Sequence, residues 1–116
     1  MRTEAPNLPP DLKAALDKAV ARIVELAQPE LVILFGSYAE GTAHQDSDVD
    51  LMVVAEAEEQ AVLAARLRAA VAPLLAGQAL DLLVLPADRW PEARRIRGMV
   101  AWEADRFGVR LHERAA

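Results

Sequence analysis

The sequence predicts an α/β fold: a small mixed β-sheet with helices packed mainly on one face. Three observations lead to this prediction. Short apolar runs rich in Leu, Val and Ile alternate with longer segments in which apolar residues recur every three or four positions. Gly and Pro residues separate the two kinds of segment. Hydrophobic residues make up 53% of the chain and charged residues 27%, as is typical of a folded globular domain.

The N-terminal half is predicted to contain one helix and two strands. Apolar residues follow helical spacing from Leu12 to Ala27, and Pro29 ends the pattern. The apolar run Leu31–Phe35 predicts a strand that is buried on both faces. Val49–Val54 predicts a second strand of the same kind, entered from a polar loop.

The C-terminal half is predicted to contain two helices and two strands. Glu58–Leu75 has helical spacing, and Pro73 is placed to bend or end that helix. Ala79–Leu85 predicts a third strand, Pro91–Phe107 a final helix and Val109–His112 a short edge strand. The residues of the final helix that we expect to face inward are Ile96, Met99, Val100 and Phe107.

Length and composition limit the class of protein. The 116 residues predict a single domain over 1–116, with loose ends at about 1–9 and 113–116. No apolar run approaches the roughly 18 residues of a membrane helix, so we expect a cytoplasmic protein without a membrane segment. The absence of cysteine excludes thiolate metal sites and thiol nucleophiles. The net charge of −5 argues against binding to nucleic acid.

The turn after the first strand begins with Gly36 and Ser37. Glycine allows the backbone to approach a ligand closely, and the serine hydroxyl lies where a short helix could begin. Amides at the start of a helix, together with a small hydroxyl, suit phosphate oxygens. A plain turn with a helix cap would also explain this pair of residues.

Two acids stand at the start of the second strand. Asp48 and Asp50 are two residues apart, so their side chains should point to one face with Cα atoms about 6.5 Å apart. Two such carboxylates about 4 Å apart repel by about 4 kcal/mol at an effective dielectric constant of 20. Water or a bound cation can offset this repulsion, and Mg²⁺ prefers carboxylates combined with substrate phosphates.

A third acid, Asp81, interrupts the apolar run of the third strand. An uncompensated charge buried there would be costly. If its side chain emerges beside Asp48 and Asp50, the three acids could hold two metal ions that clamp a triphosphate. The alternative is that Asp81 lies on an exposed edge of the sheet.

Together these residues read Gly36-Ser37, ten intervening residues, and Asp48-Val49-Asp50. The pattern resembles the signature of the DNA polymerase β nucleotidyltransferase superfamily, in particular its minimal (MNT) branch. The resemblance implies that Gly36 and Ser37 hold the triphosphate of ATP. It also implies that Asp48, Asp50 and Asp81 are catalytic Mg²⁺ ligands, with Asp81 helping to activate an acceptor hydroxyl. The expected reaction is in-line attack on the α-phosphate, with pyrophosphate as the leaving group.

The resemblance also suggests a partner. Chains of this size that are similar to the MNT family often pair with a HEPN protein as a toxin–antitoxin system, and some transfer AMP to a tyrosine of that partner. Many relatives carry arginine where this sequence has Glu40. That departure keeps open an antitoxin that neutralises its partner by binding alone. A transferase for small molecules of the aminoglycoside type is less favoured, because its pocket usually needs a second domain. A homo-oligomer is also possible.

Overall fold

The computed structural model describes residues 1–115. Its elements in chain order are α1 (Pro10–Ala27), β1 (Leu31–Phe35), α2 (Ser37–Glu40), β2 (Val49–Ala55), α3 (Gln60–Val71), a 3₁₀ helix (Ala72–Leu75), β3 (Leu80–Pro86), α4 (Trp90–Ala93), α5 (Val100–Phe107) and β4 (Val109–Glu113). The predicted α/β class is confirmed. Within the described residues, no helix combines the length and the apolar character needed to cross a membrane.

The four strands form one mixed sheet in the order β3-β2-β1-β4. Strand β1 is antiparallel to both β2 and β4, whereas β2 and β3 are parallel. Helix α3 provides the crossover that a parallel pair requires. Because β2 and β3 run in the same direction, they begin at the same end of the sheet. The C-terminal end of the antiparallel β1 lies at that end too.

Most of the helical residues lie on one face of the sheet, as predicted, and shorter helices cover the other face. The long helices α1 and α3 pack on one face, the α1/α3 face, where Leu16 and Leu67 meet Leu51 and Val53. The short helices α4 and α5 pack on the other, the α4/α5 face, where Trp90 and its neighbours meet the opposite side of the same strands. Burial on both sides explains why β1 and β2 are continuous apolar runs rather than alternating ones.

The ends of the long helices follow the expected chemistry. Helix α1 starts at Pro10 and ends at Ala27; the next residue, Gln28, has a left-handed backbone (φ 45°), and its amide donates to the carbonyl of Val24. Helix α3 changes to a 3₁₀ turn that contains Pro73, and Gly77 follows with φ 86°. Proline and glycine therefore end this segment, as their positions predict.

The predicted continuous helix over Pro91–Phe107 is wrong. The chain forms α4 and α5, separated by turns in which Gly98 has φ 95°, a left-handed conformation that interrupts a right-handed helix. Helix α5 buries its small residues Ala101 and Ala104 against the sheet. The four residues expected to face inward are instead 42–46% exposed: Ile96, Met99, Val100 and Phe107.

The N-terminal segment, which we expected to be loose, is attached to the domain at Arg2. The Arg2 amide donates to the carbonyl of Gly108 (3.0 Å), and the Arg110 amide donates to the carbonyl of Arg2 (2.7 Å). These bonds place Arg2 beside Val109 as a parallel bridge on the outer side of β4. At the other end, residue 116 of the expected loose segment lies outside the described residues.

Candidate functional site

Asp50 and Asp81 are partners in the parallel ladder between β2 and β3. Asp50 lies between Val49 and Leu51, which face α1 and α3, so the alternation of a strand turns Asp50 to the α4/α5 face. The same alternation turns Asp81 to that face, since Leu82 packs towards α1 and α3. The structure therefore places these two acids side by side on one face. Asp81 is also exposed on the edge strand. It therefore lies beside Asp50 and at an exposed edge of the sheet, two placements that the sequence alone allows as alternatives.

Gly36 lies next to Asp50, on the side away from Asp81. The last residue of β1, Phe35, pairs with Asp50 across the antiparallel ladder, and Gly36 follows with φ 74° and ψ −156°. A Cβ atom placed on Gly36 would overlap the Oδ2 atom of Asp50. Both the backbone conformation and the proximity of the carboxylate therefore require glycine here.

Ser37 begins the short helix α2 directly after Gly36. The carbonyl of Gly36 accepts from the amides of Ala39 and Glu40, each at 3.1 Å. The first amides of any helix have no partner within the helix, so those at the start of α2 are suited to an anion. Ser37 is partly buried next to them. The structure thus brings Gly36, Ser37 and Asp50 to one end of the sheet, as the motif predicts.

Two contacts hold α2 in place. The Arg2 guanidinium donates to the carbonyl of Ala39 (2.7 Å) and to that of Phe107 (3.1 Å), which joins the end of α2 to the end of α5. On the other side, the buried Tyr38 hydroxyl donates to Oε1 of Gln78 (3.1 Å). Sequence reasoning missed Arg2, because a lone arginine near the N-terminus carries no pattern that links it to residue 39.

Asp48 stands one residue before β2 and is exposed. The loop that leads to it is ordered by its own hydrogen bonds. The amide of His44 donates to Oγ of Ser47 (2.9 Å), and the amide of Ser47 donates to the carbonyl of His44 (2.9 Å). The amide of Asp46 donates to Nδ1 of His44 (3.3 Å). His44 and Ser47 therefore shape the loop that presents Asp48.

The electrostatics of the group link all three acids. The pKa of Asp50 is raised from 3.8 to about 6, mainly by its partial burial and then by the negative charges of Asp81 and Asp48. At neutral pH this carboxylate is ionised, but burial and the neighbouring negative charges make the ionised form less stable than in an exposed, isolated aspartate. A cation beside it would relieve both causes of the shift.

Even so, the acids do not form a complete ligand cage. Across residues 1–115, no three histidine, aspartate or glutamate side chains converge closely enough to hold a metal ion by themselves. Asp50 and Asp81 lie side by side as ladder partners, whereas Asp48 lies just outside β2. Mg²⁺ commonly binds one or two carboxylates and completes its shell with water and substrate phosphates. The group fits such a metal bound together with a phosphate ligand.

Comparison with known proteins agrees with this description. The family model described as "Nucleotidyltransferase domain" matches residues 16–98, a span that includes every residue of the predicted site. A candidate nucleotidyltransferase from Sulfolobus solfataricus has a similar structure, with a TM-score of 0.59 and 20% identity over 89% of this chain and 81% of that one. A comparison with curated proteins gave no match.

Two further structures share the fold. One is a toxin–antitoxin with AMP-PNP, with a TM-score of 0.54 and 22% identity over 84% of this chain and 73% of that one. The other is a mutant of the toxin–antitoxin MntA-HpeT, with a TM-score of 0.52 and the same identity and coverage. At this level of identity the likeness supports the fold alone.

Proposed function

Since this chain belongs to the family of nucleotidyltransferase domains, we propose that it transfers AMP from ATP to a hydroxyl group of a partner protein. Asp48, Asp50 and Asp81 would bind Mg²⁺, and Gly36 and Ser37 would bind the triphosphate. The observation that carries this proposal is the side-by-side placement of Asp50 and Asp81, with the Asp50 carboxylate against Gly36. The carboxylates and the turn that would bind phosphate therefore lie at one end of the sheet.

The three acids fit the metal because of their charge. Asp50 is partly buried, and the negative charges of Asp81 and Asp48 raise its pKa in addition to the effect of burial. When bound, Mg²⁺ would neutralise the phosphates and stabilise the charge that develops during transfer. Asp50 and Asp81 would hold it most directly, because they are ladder partners.

The remaining work falls to the chain's own groups. The first amides of α2 and the Ser37 hydroxyl would donate to phosphate oxygens and orient the nucleotide. The exposed Asp81 carboxylate, at the open edge of the sheet, would take the proton from the acceptor hydroxyl. The acceptor oxygen would then form a bond to the α-phosphorus while the bond to the bridging oxygen of pyrophosphate breaks. Pyrophosphate leaves with that electron pair.

The finer part of the proposal concerns the partner. We propose that the acceptor is a tyrosine of a HEPN-domain toxin and that this chain is its antitoxin. The support is the motif resemblance, together with two structural neighbours that are toxin–antitoxin structures, one of them with AMP-PNP.

The direct test is to incubate the chain with a HEPN-domain protein, ATP and Mg²⁺, and to weigh the partner by mass spectrometry. We expect the mass of one adenylate on a tyrosine, and none with Asp81→Asn. Asp88→Asn is the matched control, because Asp88 is equally exposed but lies beyond the other end of β3. An unmodified partner in the presence of a chain that binds ATP would refute the transfer.

A second function is favoured by one residue. Glu40 is exposed in the last turn of α2 and places a carboxylate near the proposed phosphate site, where it repels phosphate. A chain that neutralises its partner by binding alone would tolerate this charge. Asp48→Asn separates the two functions, because it should abolish neutralisation by transfer and leave neutralisation by binding intact.

A further inference from the structure

Strand β3 has an open side. It lies at the edge of the sheet, and within residues 1–115 it pairs with β2 only. The amides and carbonyls on its outer side therefore remain available to another strand. Such edges are pairing sites for extended segments of other chains unless they are covered.

A groove of about 560 Å³ follows this open side. Helix α3 forms one wall through Ala64, and the start of α5 forms the other through Met99 and Val100. Leu83 and Leu85 of β3 lie between these walls. The lining is mainly apolar, and Met99 and Val100 are 45% and 42% exposed, so the groove opens to solvent.

The groove adjoins the proposed catalytic group. Leu83 follows Asp81 by two residues, so both side chains lie on the α4/α5 face about 6.5–7 Å apart along the strand. Met52, which also lines the groove, has the same relation to Asp50. A molecule lying in the groove along β3 thus has one end beside the two carboxylates.

Building on the proposed function, we propose that this groove binds an extended segment of the acceptor protein, which pairs in parallel with the outer edge of β3. A residue paired opposite Asp81 on the same face would place its side chain next to that carboxylate. The side chains two and four residues further along would lie over Leu83 and Leu85. The segment that fits therefore carries the acceptor tyrosine followed by apolar residues at alternate positions.

Charge adds a second requirement on the segment. Arg68 belongs to the groove wall, and Arg95 and Arg97 are exposed in the turns that lead to Met99. The chain as a whole carries a net charge of −5, so this basic border differs from its surroundings. Acidic residues beyond the apolar positions would complement it, whereas an acidic residue beside the tyrosine would be repelled by Asp50 and Asp81.

The test uses a fluorescent peptide of defined design. It has one tyrosine, valines at the second and fourth positions after it, and glutamates at its C-terminal end; binding is measured by anisotropy without nucleotide. We expect Val100→Glu to weaken binding by about tenfold or more, because it puts a charge into an apolar contact. Val62→Glu is the matched control: Val62 is 60% exposed on α3, outside the groove, and its variant should bind like the unmodified chain.

Two N-methylated versions of the peptide test the pairing. Methyl groups on alternate amides remove the donors that face β3 in one version and the donors that face away in the other. We expect only the first version to lose binding. The proposal would be overturned if both methylated peptides bound equally well. It would also be overturned if Val100→Glu bound the peptide as tightly as the unmodified chain does, or if the unmodified chain did not bind the peptide. A dimer of the chain that Val100→Glu dissociates would overturn it too, since a second copy would then cover the groove.

Nucleotide binding is measured separately by thermal stabilisation with ATP and Mg²⁺. If ATP with Mg²⁺ stabilised both the unmodified chain and Val100→Glu, but no peptide bound, the proposal for the groove would be refuted and the proposed function would stand. Peptide binding without any stabilisation by ATP would refute the proposed function and leave the groove as a docking site.

Discussion

Asp50 lies so close to Gly36 that a single methyl group on the glycine would overlap the carboxylate. Gly36 directly follows β1, Asp50 lies on the neighbouring antiparallel strand β2, and the conformation of Gly36 (φ 74°) is one that glycine alone adopts readily. The turn proposed to bind phosphate is therefore packed directly against the Asp50 carboxylate.

We expect Gly36→Ala to destabilise the fold by roughly 2–4 kcal/mol, since it adds a steric overlap to backbone strain. Urea unfolding followed by circular dichroism measures this. Gly77→Ala is the control, because Gly77 also has a positive φ (86°) but a Cβ atom there would contact nothing within 4 Å. Equal losses for the two variants would show that Asp50 does not crowd Gly36.

The pKa of Asp50 predicts how stability depends on pH. Because this pKa is raised from 3.8 to about 6, the folded chain binds more protons than the unfolded chain between these values. The contribution of Asp50 to the free energy of unfolding therefore falls as pH rises from about 4 to 6 and stays low above that.

Asp50→Asn removes this unfavourable charge. We expect the variant to be more stable than the unmodified chain at pH 7, by roughly 1–2 kcal/mol once solvent screening is allowed for. The difference should shrink as pH is lowered towards 4. Urea titrations at several pH values measure both effects, and a variant that is less stable at pH 7 would contradict them.

Binding of ATP with Mg²⁺ should strengthen as pH rises through about 6, because the cation requires the ionised form of Asp50. At 100 times the dissociation constant, the ligand adds about 2.7 kcal/mol to stability, which a thermal shift detects. The comparison is between pH 5 and pH 7.5. Asp50→Asn should show a weak shift at both pH values, and an equal shift at both pH values in the unmodified chain would contradict the prediction.

Arg2→Ala should loosen α2, because the end of that helix loses its bond to the guanidinium. We expect a loss of roughly 1.5–3 kcal/mol in stability, the range for a hydrogen bond made by a charged group, together with weaker binding of ATP. Arg2→Lys should restore part of both. Arg22→Ala is the control, since Arg22 makes an exposed pair with Glu25 on α1, away from α2. If Arg2→Ala left the affinity for the nucleotide unchanged, α2 would not contribute to the proposed phosphate site.

Much of this architecture could be predicted from the sequence. The strand Leu31–Phe35 has the predicted bounds, because an apolar run between Pro29 and Gly36 allows few alternatives. The C-terminal helix was misjudged for a physical reason. Met99 and Phe107 have helical spacing, yet spacing does not reveal which side of a helix meets the sheet, and α5 packs through its alanines.

The candidate site shows a similar limit. Alternation along β3 allows Asp81 to lie on either face, and only its register with Asp50 decides between them. The role of Arg2 depends on contacts between segments far apart in the chain, which no local pattern reports.

The two edge strands of the sheet, β3 and β4, differ in how open they are to another strand. Arg2 occupies the outer side of β4 around Val109, so an incoming strand would have to displace it there, whereas β3 offers an unobstructed margin. Among residues 1–115, a further strand can therefore be added at the β3 edge without displacing another segment. Two copies that met through β3 would each use up their accessible margin, which favours a closed pair over an endless fibre.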